Sequence, residues 1–184
     1  MRLLLISGSL RRDSHNSALL RAAAETLPPG WEPVVYDGLA GLPHYSEDID
    51  GDAAPDPVAE LRRAIAEADA LLVATPEYNA SIPGALKNAL DWASRPFDEN
   101  PMRGKPAAVI GASTGIFGAV WAQAEVRKVL AHVGARVLDV ELPVGTADEA
   151  FDEAGRLHET ELHERLAGVV RELVDQAPVP AGAA

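Results

Sequence analysis

Short apolar runs recur along the chain, each followed by a longer stretch in which apolar positions return at helical spacing. That alternation is the pattern of βαβ units and a parallel sheet. Five runs predict strands: Arg2–Ser7, Trp31–Tyr36, Ala70–Thr75, Ala107–Ala112 and Arg136–Glu141. Most are rich in Val, Leu or Ile, as strands covered on both faces must be. Helices are predicted to begin near His15, Asp56, Pro83, Gly118 and Gly155. Val58, Leu61, Ile65 and Ala68 recur at i, i+3, i+7 and i+10, and Leu162, Leu166, Val169, Leu173 and Val174 trace a similar stripe. Both stripes face a core. The expected fold is α/β: a doubly wound sandwich with a five-stranded parallel sheet and helices on both faces.

The segment Asp37–Pro57, rich in Gly, Pro and Asp, is long for a βα connection and is predicted to wrap the surface. A plain loop is the simpler reading of it, with substrate contacts as the alternative. No linker, repeat or low-complexity segment interrupts the chain, so its 184 residues are expected to form one domain over 1–176 with a flexible tail at 177–184.

Composition narrows the function. Hydrophobic residues make up 47% and charged residues 24%, the balance of an ordinary globular protein. Sixteen basic against twenty-eight acidic residues give a net charge of −12, which disfavours a nucleic-acid surface. From Glu141 to Asp175 acidic residues outnumber basic ones ten to three, a solvated face. With no cysteine there is no disulfide, thiolate metal site or thiol redox chemistry, so any redox activity must come from a bound cofactor. No apolar run approaches the ~18 residues of a membrane span. A soluble, cytoplasmic protein without membrane or nucleic-acid partners is expected. The histidines are scattered, and His158 and His163 stand five apart, off a shared helical face, so no metal site is expected.

In an open parallel sheet ligands bind beyond the carboxyl ends of the strands, so the loops after strands one, three and four are the candidates. The first, Ser7-Gly8-Ser9-Leu10-Arg11-Arg12-Asp13-Ser14-His15-Asn16-Ser17, opens a helix with hydroxyls, an amide and arginines. A helix N-terminus offers free N–H groups and a positive dipole, and Arg11 would complete a phosphate cradle. Ser14 and Asn16 are also ordinary cap residues, and a simple cap is the competing reading. Neither G-x-x-x-x-G-K nor G-x-G-x-x-G follows this strand, which weakens standard ATP and NAD sites. Ser7-Gly8-Ser9 and Thr75-Pro76 stand where a receiver domain needs acids.

The second loop, Thr75-Pro76-Glu77-Tyr78-Asn79-Ala80-Ser81-Ile82-Pro83, is stiffened by two prolines around an aromatic and an amide. A rigid loop of this kind suits the polar edge of a flat heterocycle. Its alternative is a turn with Tyr78 packed and Asn79 left-handed. The third loop, Gly111-Ala112-Ser113-Thr114-Gly115, matches the G-x-S-x-G nucleophile elbow, and Asp139 and His158 downstream keep a serine hydrolase open. Trp92 and Trp121 fall in helices beside these loops, where core or interface packing is expected.

Taken in order, Gly8-Ser9-Leu10-Arg11 with Asn16, Pro76-Glu77-Tyr78-Asn79 with Ser81-Ile82-Pro83-Gly84 and Leu86-Lys87-Asn88-Ala89-Leu90-Asp91-Trp92, and Ser113-Thr114-Gly115 resemble the NADPH-dependent FMN reductase family, which includes chromate and quinone reductases. The resemblance spans about residues 2–175. It implies a flavodoxin-like fold, FMN as cofactor, NADPH or NADH as hydride donor, a small acceptor such as a flavin, quinone or chromate, and a homodimer or homotetramer. It places the phosphate loop on Ser9, Arg11, Ser14, Asn16 and Ser17, the ring-edge loop on Pro76, Glu77, Tyr78 and Asn79, and a third contact on Ser113. No catalytic side chain is implied, because a flavin performs hydride transfer itself. A flavodoxin-like electron carrier on the same fold is the non-enzymatic alternative. Gly118-Ala119 departs from the paired glycines of many relatives.

Overall fold

Leu3 and Leu5 pack on one side of the sheet, Leu4 and Ile6 on the other, and the same alternation runs through Leu71–Ala74 and Ala107–Ile110. Strands so apolar on both faces must lie between two helical layers. The structure is a computed structural model that describes residues 1–51, 54–152 and 154–178. Its strands are β1 (Arg2–Ser7), β2 (Glu32–Tyr36), β3 (Ala70–Thr75), β4 (Pro106–Ala112), β5 (Arg136–Val137) and β6 (Pro143–Val144). Its helices are α1 (His15–Glu25), α2 (Asp56–Glu67), α3 (Gly84–Ala93), α4 (Val120–His132), a one-turn α5 (Ala147–Ala150) and α6 (Thr160–Asp175). The strand order is β2-β1-β3-β4-β5, all pairs parallel, and β6 pairs with the end of β4. Apolar side chains of α1 and α6 cover one face; those of α2, α3 and α4 cover the other. The two predicted stripes are there: Val58, Leu61, Ile65 and Ala68 are buried, as are Leu166, Val169, Leu173 and Val174, with Leu162 at the margin.

The fifth strand corrects the sequence reading. Arg136–Glu141 is not continuous, because the chain leaves β4 after Val137 and returns at Pro143. Arg136 faces Pro106, whereas Pro143 faces Gly111, so the edge strand carries two extra residues. Side chains of α4 satisfy the backbone that leaves the ladder. Gln123, fully buried, accepts from the Leu142 N–H at 3.3 Å and donates to the Gly118 carbonyl at 2.9 Å, and Arg127 donates to the Val140 carbonyl. The last helix is a second correction, beginning at Thr160 and not near Gly155. Asp152 accepts from the N–H groups of Ala154 and Arg156, and Gly155 has φ 76°, which turns the chain out of the helical path.

The segment between β2 and α2 is held as a surface strap. Trp92 Nε1 and Asn88 Nδ2 both donate to the Pro43 carbonyl, and the Tyr45 N–H donates to Asn88 Oδ1 at 2.8 Å. Asp50 accepts from Arg62 at 2.8 Å and Arg95 at 3.2 Å. Trp92 is wholly buried beneath this strap, a packing role. Of the expected tail, residues 179–184 lie outside the described residues.

Candidate functional site

Strand order reverses between β1 and β3, and the loops leaving β1, β3 and β4 meet there. The first is shaped by its own hydroxyls. Ser14 caps α1 by accepting from the Ser17 N–H, Ser9 Oγ accepts from the Arg11 N–H at 3.3 Å, and Ser17 Oγ donates to Ser7 Oγ at 3.0 Å. Gly8 donates its N–H to the Ala74 carbonyl at 2.8 Å. A Cβ at Gly8 would stand 2.9 Å from Leu86 Cδ2 and 3.3 Å from Pro76 Cδ, so only glycine lets this loop lie against the next one.

The second loop is a two-residue hairpin. Tyr78 and Ser81 exchange both backbone hydrogen bonds at 3.1 Å, and between them Asn79 and Ala80 have φ 53° and 58°. Two consecutive left-handed residues make a type I′ turn, for which Asn is a favoured first residue. Glu77 ties this hairpin across the mouth of the site: its Oε2 accepts from the N–H groups of Trp121 and Ala122, both at 3.1 Å. A carboxylate at the start of a helix satisfies orphan donors and opposes the positive end of the dipole. Ser81 adds a second tie, donating to Glu125 at 2.6 Å.

The third loop, 113–119, rests on 143–147 with almost no space between backbones. A Cβ at Gly118 would meet the Val144 nitrogen at 2.5 Å, and one at Gly145 would meet the Ile116 carbonyl oxygen at 2.4 Å. Ser113 donates its N–H to Val144 and accepts the Ala147 N–H at its carbonyl. Ala119, at φ 62° and 1% exposed, takes a conformation that favours glycine. Asn16 joins this loop to the first: its amide donates to the Ala112 carbonyl and accepts the Ala112 N–H, both at 2.9 Å, in the buried interior.

These loops enclose one open cavity of about 220 Å³. Ser9, Arg11, Ser14, His15 and Asn16 line one end, and Pro76, Glu77, Tyr78, Ala112, Ser113 and Thr114 the other. Eight of the ten residues expected from the sequence are therefore brought together. Ser17 and Asn79 are not: the Ser17 hydroxyl is turned onto Ser7 behind the loop, and Asn79 holds the turn. Asn16 lines the cavity, but its side-chain amide is spent on Ala112, so its first-turn N–H is what it offers a ligand. Glu77 likewise spends its carboxylate on α4. His15, Ala112 and Thr114 are lining residues that the sequence reading passed over, and for His15 the available signal was its place directly after the cap Ser14. Burial lowers the His15 imidazole pKa from the ordinary value, the Arg11 charge lowers it further, and Asp148 opposes them.

Among the described residues no hydrolytic triad is assembled around Ser113. Ser113 Oγ accepts from the Gly115 N–H at 3.2 Å, while Asp139 lies exposed on the bulged edge and His158 in the turn before α6. Among the described residues, none of the 37–57 strap lines the cavity. What the site offers is an anion-binding end, made of Arg11, hydroxyls and a helix N-terminus, continuous with an end lined by Pro76, Glu77, Tyr78, Ala112, Ser113 and Thr114. Beside it Tyr78, Ile116, Phe117 and Trp121 stand exposed, with the Phe117 and Trp121 rings edge to face at 5.0 Å.

The sequence model of the NADPH-dependent FMN reductases matches residues 1–149. The chain is 46% identical over 167 residues to an NAD(P)H-dependent FMN reductase of Pseudomonas aeruginosa, covering 90% of this chain and 89% of that one. A 2-hydroxy-1,4-benzoquinone reductase of a Burkholderia species is 46% identical over 133 residues, 72% of each chain. Among solved structures, the flavoenzyme NAD(P)H:(acceptor) oxidoreductase of Paracoccus denitrificans superposes with a TM-score of 0.83 at 38% identity, covering 95% of this chain and 96% of that one.

Proposed function

The chain belongs to the NADPH-dependent FMN reductase family, and from that premise we propose how its residues divide the work. The protein is an FMN-dependent NAD(P)H oxidoreductase with a flavodoxin-like fold. When bound, FMN would supply the chemistry, hydride transfer from the nicotinamide and electron transfer to a small acceptor. The donor set fits that group: a guanidinium, hydroxyls and helix N–H groups for a phosphate, and an adjoining space between the 76–78 and 112–114 loops for a planar ring.

In this reading Arg11, Ser9, Ser14 and the first-turn N–H groups of α1 hold the phosphate, and Ser17 braces the loop behind them. The Glu77 backbone N–H faces one edge of the ring, with Pro76 and the Tyr78 side chain walling it, Asn79 fixing the turn, and Ser113 meeting the ring from β4. No side chain acts as acid, base or nucleophile. A quinone is the acceptor that the apolar rim of Tyr78, Ile116, Phe117 and Trp121 suits, since a flat apolar molecule loses little on leaving water there. The same rim favours a homodimer or homotetramer, because Ile116 is 75% and Phe117 57% exposed on the monomer. We place the protein in the cytoplasm; among the described residues no helix is long and apolar enough to cross a membrane.

The observation that carries the reading is the cavity joining Arg11 and the α1 N-terminus to residues 76–78 and 112–114 at the switch point of the sheet. Titrating the flavin-free protein with FMN and with riboflavin tests it. FMN binds more tightly, by about tenfold or more. Equal affinities overturn the phosphate assignment.

A further inference from the structure

A second open groove, of about 600 Å³, begins where the phosphate end of the flavin cavity stops, and Ser14 and His15 line both. Arg11 belongs to the cavity and Arg12, its chain neighbour, to the groove. The floor of the groove is one face of α1, where the cap Ser14, then Ala18 and Arg21, recur at i, i+4 and i+7 and span about 10 Å. The rest of its wall includes Asp148, Phe151 and Gly155, and a Cβ at Gly155 would sit 3.4 Å from Arg21 Nη2. At the shared edge the His15 imidazole is stacked on the Phe151 ring, with centroids 5.8 Å apart and planes 21° apart. Among the described residues neither Arg12 nor Arg21 belongs to an ion pair, on a chain whose net charge is −12. Of the acidic groups that line the groove, Asp152 is taken up by Arg156 at 2.8 Å, and Asp13 and Asp148 are exposed.

We propose that this groove takes the adenylate half of a flavin dinucleotide, so that the protein binds FAD as well as FMN. The inference rests on the reductase reading above, in which the flavin phosphate lies against Arg11 and the N-terminus of α1. FMN ends at that phosphate, whereas FAD continues from it into a second phosphate and an adenosine. One ligand fills both spaces only if it continues beyond the phosphate, because the two meet at Ser14 and His15. A diphosphate across that edge lies over the first-turn N–H groups and the positive end of α1, with Arg11 on one phosphate and Arg12 on the other. Arg21, two turns further along α1, stands where the adenine arrives, a planar cation that stacks on a purine and donates to its ring nitrogens. Asp13 and Asp148 accept from the ribose hydroxyls, and the His15–Phe151 pair gives the nucleoside a ring surface to lie against.

The test is calorimetric titration of the flavin-free protein with FMN and with FAD, in the wild type and in an Arg12→Ala/Arg21→Ala double variant. Both side chains are exposed, so the variant keeps its fold. The wild type binds FAD, and the ratio of FAD affinity to FMN affinity falls about tenfold or more in the double variant, the loss expected when charge-assisted contacts are removed. FMN affinity is kept, because FMN does not reach the groove. An Arg12→Lys/Arg21→Lys variant recovers part of the ratio, since lysine keeps the charge and loses the planar fork. A wild type that takes FMN and not FAD overturns the inference. So does an FAD to FMN ratio that the double variant leaves unchanged, whether both affinities hold or both fall together. The phosphate assignment of the reductase reading fails separately, by equal affinities of the wild type for FMN and riboflavin, a comparison the groove does not enter.

Discussion

At the scale of single residues, side-chain type and side-chain direction carry different information. Arg11, exposed at the cavity end, is expected to contribute about 1.5 kcal/mol to binding a phosphate, the low end of the charge-assisted range because solvent screens it. Arg11→Ala should therefore weaken FMN by roughly tenfold and riboflavin far less, measured by quenching of flavin fluorescence. Equal losses for both remove Arg11 from the phosphate. Ala80 offers a stability test. It is exposed with φ 58°, in the second central position of a turn that prefers Asn-Gly. Ala80→Gly relieves about 1–2 kcal/mol of left-handed strain and gives back about 0.5–1 kcal/mol in unfolded-state entropy. The net gain is about 0.5–1 kcal/mol, a rise in Tm of roughly 1–4 °C. A lower Tm contradicts the turn assignment. At Ala119 the same relief is offset by a buried methyl worth about 0.8 kcal/mol, so no gain is expected there. Residue types at these positions were legible in the sequence. Where they point was not: Asn16 turns to Ala112, 96 residues on, and no local pattern encodes that pairing.

At the scale of elements, the strands and most helices were legible because burial on both faces and amphipathic periodicity are local signals. The failures fell where side chains replace secondary structure. The fifth strand is interrupted because Gln123 and Arg127 of α4 satisfy its backbone, and the α6 start is displaced by the Asp152 turn. The tie between the 76–81 hairpin and α4 was equally hidden, since Glu77 reaches donors 44 and 45 residues away. That tie predicts a coupling between stability and chemistry. Glu77→Ala removes a helix cap worth about 1–2 kcal/mol and frees the hairpin from α4. Hydride transfer needs donor and acceptor atoms within ~3–3.5 Å and aligned, so the rate of flavin reduction in FMN-saturated protein should fall more than FMN affinity does. Glu77→Gln, which keeps an acceptor oxygen, should restore most of both. Should Tm fall in Glu77→Ala while the reduction rate of the saturated protein holds, the hairpin is a structural turn only.

At the scale of the whole molecule, the doubly wound architecture and the position of the site followed from the alternation of runs and the switch-point rule, whereas the strap over α3 did not, because its bonds join Pro43, Tyr45 and Asp50 to distant helices. Burial opposes ionisation of Asp50, but hydrogen bonds from Arg62, the Gly51 N–H and Arg95 outweigh it and hold its pKa below the ordinary carboxylate value. A depressed folded-state pKa gives stability that is complete above the unfolded value of about 4 and is lost as pH falls through the folded one. Stability should thus decline below about pH 4, and Asp50→Asn should flatten that decline while lowering stability at neutral pH. Denaturant midpoints across the acid range check this, and an unaltered acid slope in Asp50→Asn contradicts it. The central claim is that one cavity holds FMN by its phosphate and leaves its ring open to a nicotinamide and then to an acceptor. The most direct measurement is anaerobic rapid mixing of the FMN-loaded protein with NADPH or NADH, followed by a quinone, with the visible flavin band as readout. The account predicts that the band bleaches with at least one nucleotide and returns when the quinone is added; a band that persists through both nucleotides contradicts it.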